Sequence, residues 1–176
     1  MTLTELNCFM GLLRTAPEGT RIEFGVYRGA TLRLIAQHNG ATLGIDSFEG
    51  MPAPTVRDVK EGWNPYPKGR LSSDYAAVKA EFDKYHSVMI LKGWVPEILK
   101  SLGDARFAFA HVDLDQYDST LGTLQWLSTR MIDGGIICCD DYFADRDWLA
   151  GGAINEFIRT VRPLSGAHGR KAWFTW

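Results

Sequence analysis

The stretch AHVDLDQYDST, residues 110–120, sets Asp113, Asp115 and Asp118 directly after an apolar run. A carboxylate at the end of a buried strand is costly unless a ligand, a metal or the chemistry uses it. A second apolar run, GGIICCDD at 134–141, ends on Asp140 and Asp141. If the two runs are neighbouring parallel strands, Asp113, Asp140 and Asp141 arrive at one sheet edge, within reach of one ion. Hard oxygen donors without His or Cys in the set favour Mg²⁺, Mn²⁺ or Ca²⁺ over zinc. Without a cation such a cluster repels itself and raises its own pKa values. The competing account has Asp115 and Asp118 capping the next helix and Asp140 and Asp141 solvated in a loop. Asp118 is assigned to a cap, and the other trio to a metal.

A second constellation is EFGVYRG, residues 23–29, where Glu23, Gly25 and Gly29 stand at a strand-to-helix junction. Glycine there permits a tight turn and a close approach to a ligand. The spacing differs from the three-glycine dinucleotide fingerprint. Further on, Asp46 closes the next apolar run, where an acidic side chain can hold both hydroxyls of a ribose. Together these describe a nucleoside pocket without a pyrophosphate cradle. The alternative is packing glycines and a capping aspartate.

The elements that must position these residues follow from the alternation of the chain. RIEF (21–24), ATLGID (41–46), SVMILK (87–92), RFAFAHVD (106–113) and GGIICCDD (134–141) have the short apolar character of buried parallel strands. Helical patterns separate them at about 30–38, 73–84, 95–101 and 118–130, with another near 151–161. Strand then helix, repeated, predicts an α/β fold with a parallel sheet covered on both faces and ligands beyond the carboxyl ends of the strands. Residues 49–74 break the rhythm with clustered Pro and Gly and read as a functional loop, a candidate lid.

With 176 residues and 45% hydrophobic content, the chain suits one domain spanning 1–176. A net charge of −2 from interspersed residues offers no face to a phosphate backbone, so nucleic acid is not an expected partner. Residues 1–20 carry Glu5 and Asn7 early and space their apolar positions on one helix face, so they predict a helix and neither a signal nor a membrane span. Cys8, Cys138 and Cys139 have no metal spacing, and the adjacent pair would face opposite sides of a strand. Reduced thiols in a cytoplasmic protein are expected.

In order and spacing, EFGVYRGATLRLIA, GIDSFEGMP, LKGW, HVDLDQYDST and GGIICCDDY resemble the macrocin O-methyltransferase (TylF-like) family of metal-dependent enzymes that use S-adenosylmethionine. The resemblance runs from residue 21 to about 160. It implies the class I methyltransferase fold, a Rossmann-like three-layer sandwich on a seven-stranded sheet whose last strand is antiparallel; KAWFTW is similar to that strand. It implies that Glu23, Phe24, Gly25, Val26, Tyr27 and Arg28, with Gly29 of the same motif, line the methionine part of the cofactor. Asp46 would bind the ribose with Ser47 and Phe48 flanking it, and Gly93 with Trp94 would sit by the adenine. Asp113, Asp140 and Asp141 match the family's metal ligands, for Mg²⁺ or Mn²⁺, and the acceptor would be a small-molecule hydroxyl of a sugar or natural product. A homodimer is compatible with this resemblance.

The chain departs from the family in having one helix before the first strand, where a longer lid-forming segment is expected, and in ending at KAWFTW. Related catechol-type enzymes place a lysine three residues after the first metal aspartate; Gln116 stands there instead. Asp113 is then the expected general base, with Asp115 the second candidate. Trp63, Tyr66, Tyr142 and Trp148 are candidates to floor a ring-shaped acceptor. Two other classes remain open, a cofactor-binding module without methyl transfer and another nucleoside-using α/β enzyme such as an oxidoreductase.

Overall fold

The computed structural model describes residues 1–176 except Asn39. Its elements in chain order are α1 (Leu3–Thr15), β1 (Arg21–Phe24), α2 (Ala30–Ile35), β2 (Thr42–Asp46), α3 (Tyr75–Phe82), β3 (Val88–Lys92), β4 (Phe107–Val112), α4 (Tyr117–Leu127), β5 (Met131–Cys139), α5 (Leu149–Thr160), β6 (Gly166–His168) and β7 (Lys171–Thr175), with 3₁₀ segments at Val56–Asp58 and Glu97–Leu102. The seven strands form one sheet in the order β3-β2-β1-β4-β5-β7-β6. The first five are parallel, and β7 runs antiparallel to both β5 and β6. This is the class I arrangement that the resemblance implied.

Both faces of the sheet are covered, and every residue of β1 and β4 is buried. That explains why these strands read as continuous apolar runs rather than alternating ones. On one face Phe9 and Leu13 of α1 and Ile35 of α2 pack on Phe109, Ile136 and Cys138. On the other, Leu124, Leu127, Ile154 and Phe157 of α4 and α5 pack on Ala110, Val112, Ile137 and Cys139. Adjacent cysteines thus serve opposite cores, as the strand period requires, and all three cysteines are free.

Helix α1 begins at a capping box in which Thr2 Oγ1 accepts from Glu5 N (3.2 Å) and Thr2 N donates to Glu5 Oε2 (2.7 Å). The segment expected to be helical at 95–101 is a 3₁₀ helix, and β5 starts at Met131, three residues before the expected 134. Strand β6 went unpredicted because three residues, Gly-Ala-His, carry no periodic signal. Among the described residues no helix is long and apolar enough to cross a membrane.

Candidate active site

The parallel register brings the carboxyl ends of β1, β2, β4 and β5 to one edge. Asp113 N donates to Phe24 O and Asp140 N to Val112 O, each at 2.9 Å, so the ladder continues one residue past each strand and aligns the two aspartates. Beyond this edge lies a cavity of about 340 Å³, bounded by Gly25, Tyr27, Asp46, Ser47, Gly93 and Trp94 on the β1–β3 side. Asp113, Asp115, Asp140, Asp141 and Arg170 bound it on the β4–β7 side. Tyr27, Phe48, Asp115 and Asp141 all hold positive φ, between 51° and 59°. Non-glycine residues rarely adopt this conformation, and it tends to gather at functional sites.

Asp46 ends β2 with both oxygens engaged, Oδ2 accepting from Tyr27 N and Oδ1 from Phe48 N, each at 2.7 Å. The carboxylate therefore fixes two of the strained turns, and each oxygen keeps a second lone pair as acceptor capacity. Gly25 is required by the backbone itself, since a Cβ there would fall 1.8 Å from Asp113 O. Gly29 is required by packing, since its Cβ would meet the Phe82 ring at 2.5 Å.

The acidic residues converge in two overlapping groups, His111 with Asp113 and Asp140, and Asp113 with Asp115 and Asp141; in each, one ligand atom per residue lies within 4.8 Å of the others. Burial, then the charges of Asp140 and Asp141, push the Asp113 pKa up to about 7. Burial, then the charge of Asp113, push Asp115 to about 8. Asp140 moves the other way: burial opposes its charge, but the neighbouring Lys171 ammonium outweighs it. Lys171 Nζ donates to Asp140 Oδ2 (2.5 Å) and sits 3.5 Å from His111 Nε2, while His111 Nδ1 lies 3.0 Å from Glu23 Oε1. Burial, then Lys171, hold the His111 pKa down at about 3, so the imidazole is neutral. Arg170 Nη1 donates to Asp141 Oδ1 (2.9 Å), and Tyr66 Oη reaches Asp141 Oδ2 at 3.5 Å.

The family model described as macrocin-O-methyltransferase (TylF) matches residues 4–163. The chain belongs to this family. A curated relative, the 8-demethyl-8-(2,3-dimethoxy-α-L-rhamnosyl)-tetracenomycin-C 4′-O-methyltransferase of Streptomyces olivaceus, is 31% identical over 152 residues, which is 78% of this chain and 58% of that protein. The match thus spans somewhat over half of the relative's length. Among solved structures, the calicheamicin methyltransferase CalS11 (24% identity, TM-score 0.78) covers 99% of this chain and 79% of its own. The O-methyltransferase NovP (22%, TM-score 0.78) covers 98% and 79%. These two share the fold.

Within this TylF-family chain the structure brings Gly25, Tyr27, Asp46, Ser47, Gly93, Trp94 and all four aspartates of the two acidic groups to one cavity. It does not bring Glu23, Phe24, Val26, Arg28, Gly29 or Phe48 to the cavity wall. Glu23 lies beneath it against His111, Phe24, Val26 and Phe48 belong to the core, and Arg28 stacks on the Tyr27 ring outside. Asp115, read as the second candidate base, is a full member of the acidic cluster. The expected cap is corrected: Asp118 is exposed and pairs with Arg57, whereas the first amide of α4, Tyr117 N, is satisfied by the buried Asp58 Oδ1 at 2.8 Å. Asp58 belongs to the 49–74 loop, which Gln116 Nε2 also holds through Pro52 O and Tyr66 O. Of the four aromatic candidates only Tyr66 reaches the cavity, while Trp63 and Trp148 pack on each other at 5.6 Å. His111, Arg170 and Lys171 were not singled out from the sequence, because what places Arg170-Lys171 beside Asp140-Asp141 is the pairing of β5 with β7, which no local pattern announces.

Proposed function

We propose that this chain is an S-adenosylmethionine-dependent O-methyltransferase that methylates a hydroxyl of a sugar or sugar-bearing natural product with the aid of one hard divalent cation. The observation that carries this reading is the opening of Asp46 and a four-carboxylate cluster onto the same cavity, one at each end. The names of its relatives, a tetracenomycin rhamnosyl 4′-O-methyltransferase and a calicheamicin methyltransferase, support the acceptor class.

The donor sets fit both groups. Asp46 offers anionic lone pairs suited to ribose hydroxyls, and Ile45, Trp94, Val95 and Leu114 offer apolar surface suited to adenine. Asp113, Asp140 and Asp141, with Asp115, would hold the cation; two of the four carboxylates are already matched by Lys171 and Arg170, so two negative charges remain for a divalent ion. When bound, the cofactor supplies an electrophilic methyl group and the ion acidifies the acceptor hydroxyl.

The chain's own residues do the rest. Asp113, at the junction of both acidic groups, receives the acceptor's proton on a carboxylate oxygen, and Asp115 is the neighbouring alternative. Met51, Pro52 and Tyr66 of the 49–74 loop roof the cavity and exclude water as a competing nucleophile. Lys171 keeps Asp140 ionised, and Arg170 fixes Asp141. Gln116, and no lysine, stands three residues after Asp113, consistent with an aspartate in that role.

The test is transfer of label from methyl-labelled S-adenosylmethionine to a panel of rhamnosylated and other glycosylated aromatic compounds, with and without chelator. Label should enter a sugar hydroxyl, disappear with chelator and return with Mg²⁺ or Mn²⁺. Asp140→Asn and Asp141→Asn should both abolish it. Transfer at full rate from metal-free protein would remove the ion from the mechanism.

A further inference from the structure

The antiparallel register of β5 and β7 ends at the pair Cys139 and Ala172, and just beyond it the side chains of Asp140 and Asp141 meet those of Lys171 and Arg170. Tyr142 N donates to Arg170 O at 2.9 Å, one residue out of that register, and this keeps the two segments together past the strand ends. Each acid then receives one cation, Asp140 from Lys171 (2.5 Å) and Asp141 from Arg170 (2.9 Å). Both cations are held from behind. Lys171 is fully buried and backed by His111 and Glu23, while Arg170 N donates to Glu5 Oε1 (3.0 Å) and its guanidinium lies 3.9 Å from the same oxygen. Glu5 is in turn fixed by the capping box of α1.

A buried lysine costs much desolvation and a metal site gains nothing from repelling its metal, so this pair calls for a purpose. We propose that Arg170 and Lys171 are positioning residues that set the charge of the acidic cluster, holding four carboxylates at a net charge matched to a single divalent ion. This rests on the metal-dependent reading above. Four unmatched carboxylates would bind a divalent ion very tightly and donate so much negative charge to it that it would polarise an acceptor hydroxyl less. Two fixed cations, close enough to act through a poorly screened interior, moderate both effects. They act through Asp140 and Asp141, and neither needs to touch the acceptor.

The sign of one measurement separates this from a purely structural role. Removing a structural support loosens the aspartates and weakens metal binding; removing a charge-setting cation strengthens it. Mn²⁺ binding is followed by electron paramagnetic resonance on wild-type, Arg170→Gln, Arg170→Lys and Lys171→Met proteins, each checked for folding by circular dichroism. Arg170 is the safer position, since its side chain is 44% exposed. We expect Arg170→Gln to lower the Mn²⁺ dissociation constant at least fivefold and Lys171→Met at least tenfold. Arg170→Lys should stay near wild type, and S-adenosylmethionine affinity should change less than threefold throughout. Unchanged or weaker Mn²⁺ binding by folded Arg170→Gln, beside a wild type that binds, overturns the charge-setting role alone. A wild type that takes up no Mn²⁺ overturns the metal reading itself and this inference with it.

Discussion

Gly25→Ala perturbs the contact on which the site's alignment depends. A Cβ at Gly25 would stand 1.8 Å from Asp113 O and 2.8 Å from Asp113 C, and real Cβ atoms essentially never approach closer than 3.0 Å. The obstacle is backbone, so no side chain can rotate away; the ends of β1 and β4 must part by about 1.2 Å, the gap between 1.8 and 3.0 Å. Alanine must also adopt φ near +91°, which costs on the order of 1–3 kcal/mol. Parting the strands loosens the Asp113 N to Phe24 O bond, worth about 0.5–1.5 kcal/mol. Destabilisation of about 2–4 kcal/mol follows, read as a lower urea midpoint with an unchanged slope. Because Asp113 is displaced by about an ångström, methyl transfer should fall roughly 100-fold even at temperatures where the protein stays folded. Gly62→Ala is the control. It shares positive φ (+76°) but has nothing within 4 Å of its Cβ, so it should cost only the conformational part and spare activity. Wild-type stability and transfer in Gly25→Ala would refute the claim that this contact aligns the acids.

Stability of the metal-free protein should also depend on pH. Folded Asp113 and Asp115, with pKa values of about 7 and 8, bind more protons than the unfolded chain, whose aspartates titrate near 3.8. Their contribution is fully present below about pH 3.8 and is lost as pH rises from there through the folded values of about 7 and 8. His111, held near 3 against an ordinary 6.5, acts in the opposite sense between those values and offsets only one of the two protons, so the fall is shallower below pH 6.5, steepest just above it, and complete once both aspartates are ionised. Thermal melts in chelator should decline across that window and flatten with Mg²⁺, whereas parallel curves would contradict the cluster's electrostatics. For the loop, Asp58→Ala removes the acceptor from Tyr117 N and from Thr55 N, and should cost about 1–3 kcal/mol. Limited proteolysis between residues 51 and 70 should then accelerate at least tenfold, and unchanged cleavage would show that Asp58 does not tether this loop.

Much of the architecture was legible because buried parallel strands leave continuous apolar runs, and their last residues are where polar groups become affordable. Asp46, Asp113 and Asp140 could be found that way, each the first acid after such a run. The 49–74 loop was legible only as an absence of period; its tether, Asp58 on Tyr117 N, joins residues 59 apart in sequence with no local signature. Phe24, Val26 and Arg28 were assigned to the cofactor by motif position, but strand and turn geometry sends their side chains to the core or outward. His111 sits inside the apolar run of β4, where a histidine reads as buried filler, and only the β7 register reveals that it backs Lys171. The register of a terminal antiparallel strand is set by tertiary pairing, so the match of Arg170-Lys171 to Asp140-Asp141 emerges only once β5 and β7 are seen side by side.

The most direct test is calorimetric titration of S-adenosylmethionine into wild-type and Asp46→Ala protein. Asp46 accepts two amides at 2.7 Å and borders the cavity, and a hydrogen bond from ribose to such a charged group is worth about 1.5–3 kcal/mol. The account predicts one molecule bound per wild-type chain and affinity at least tenfold weaker in folded Asp46→Ala. Absence of binding to the folded wild type, or equal affinity in the two proteins, would contradict it.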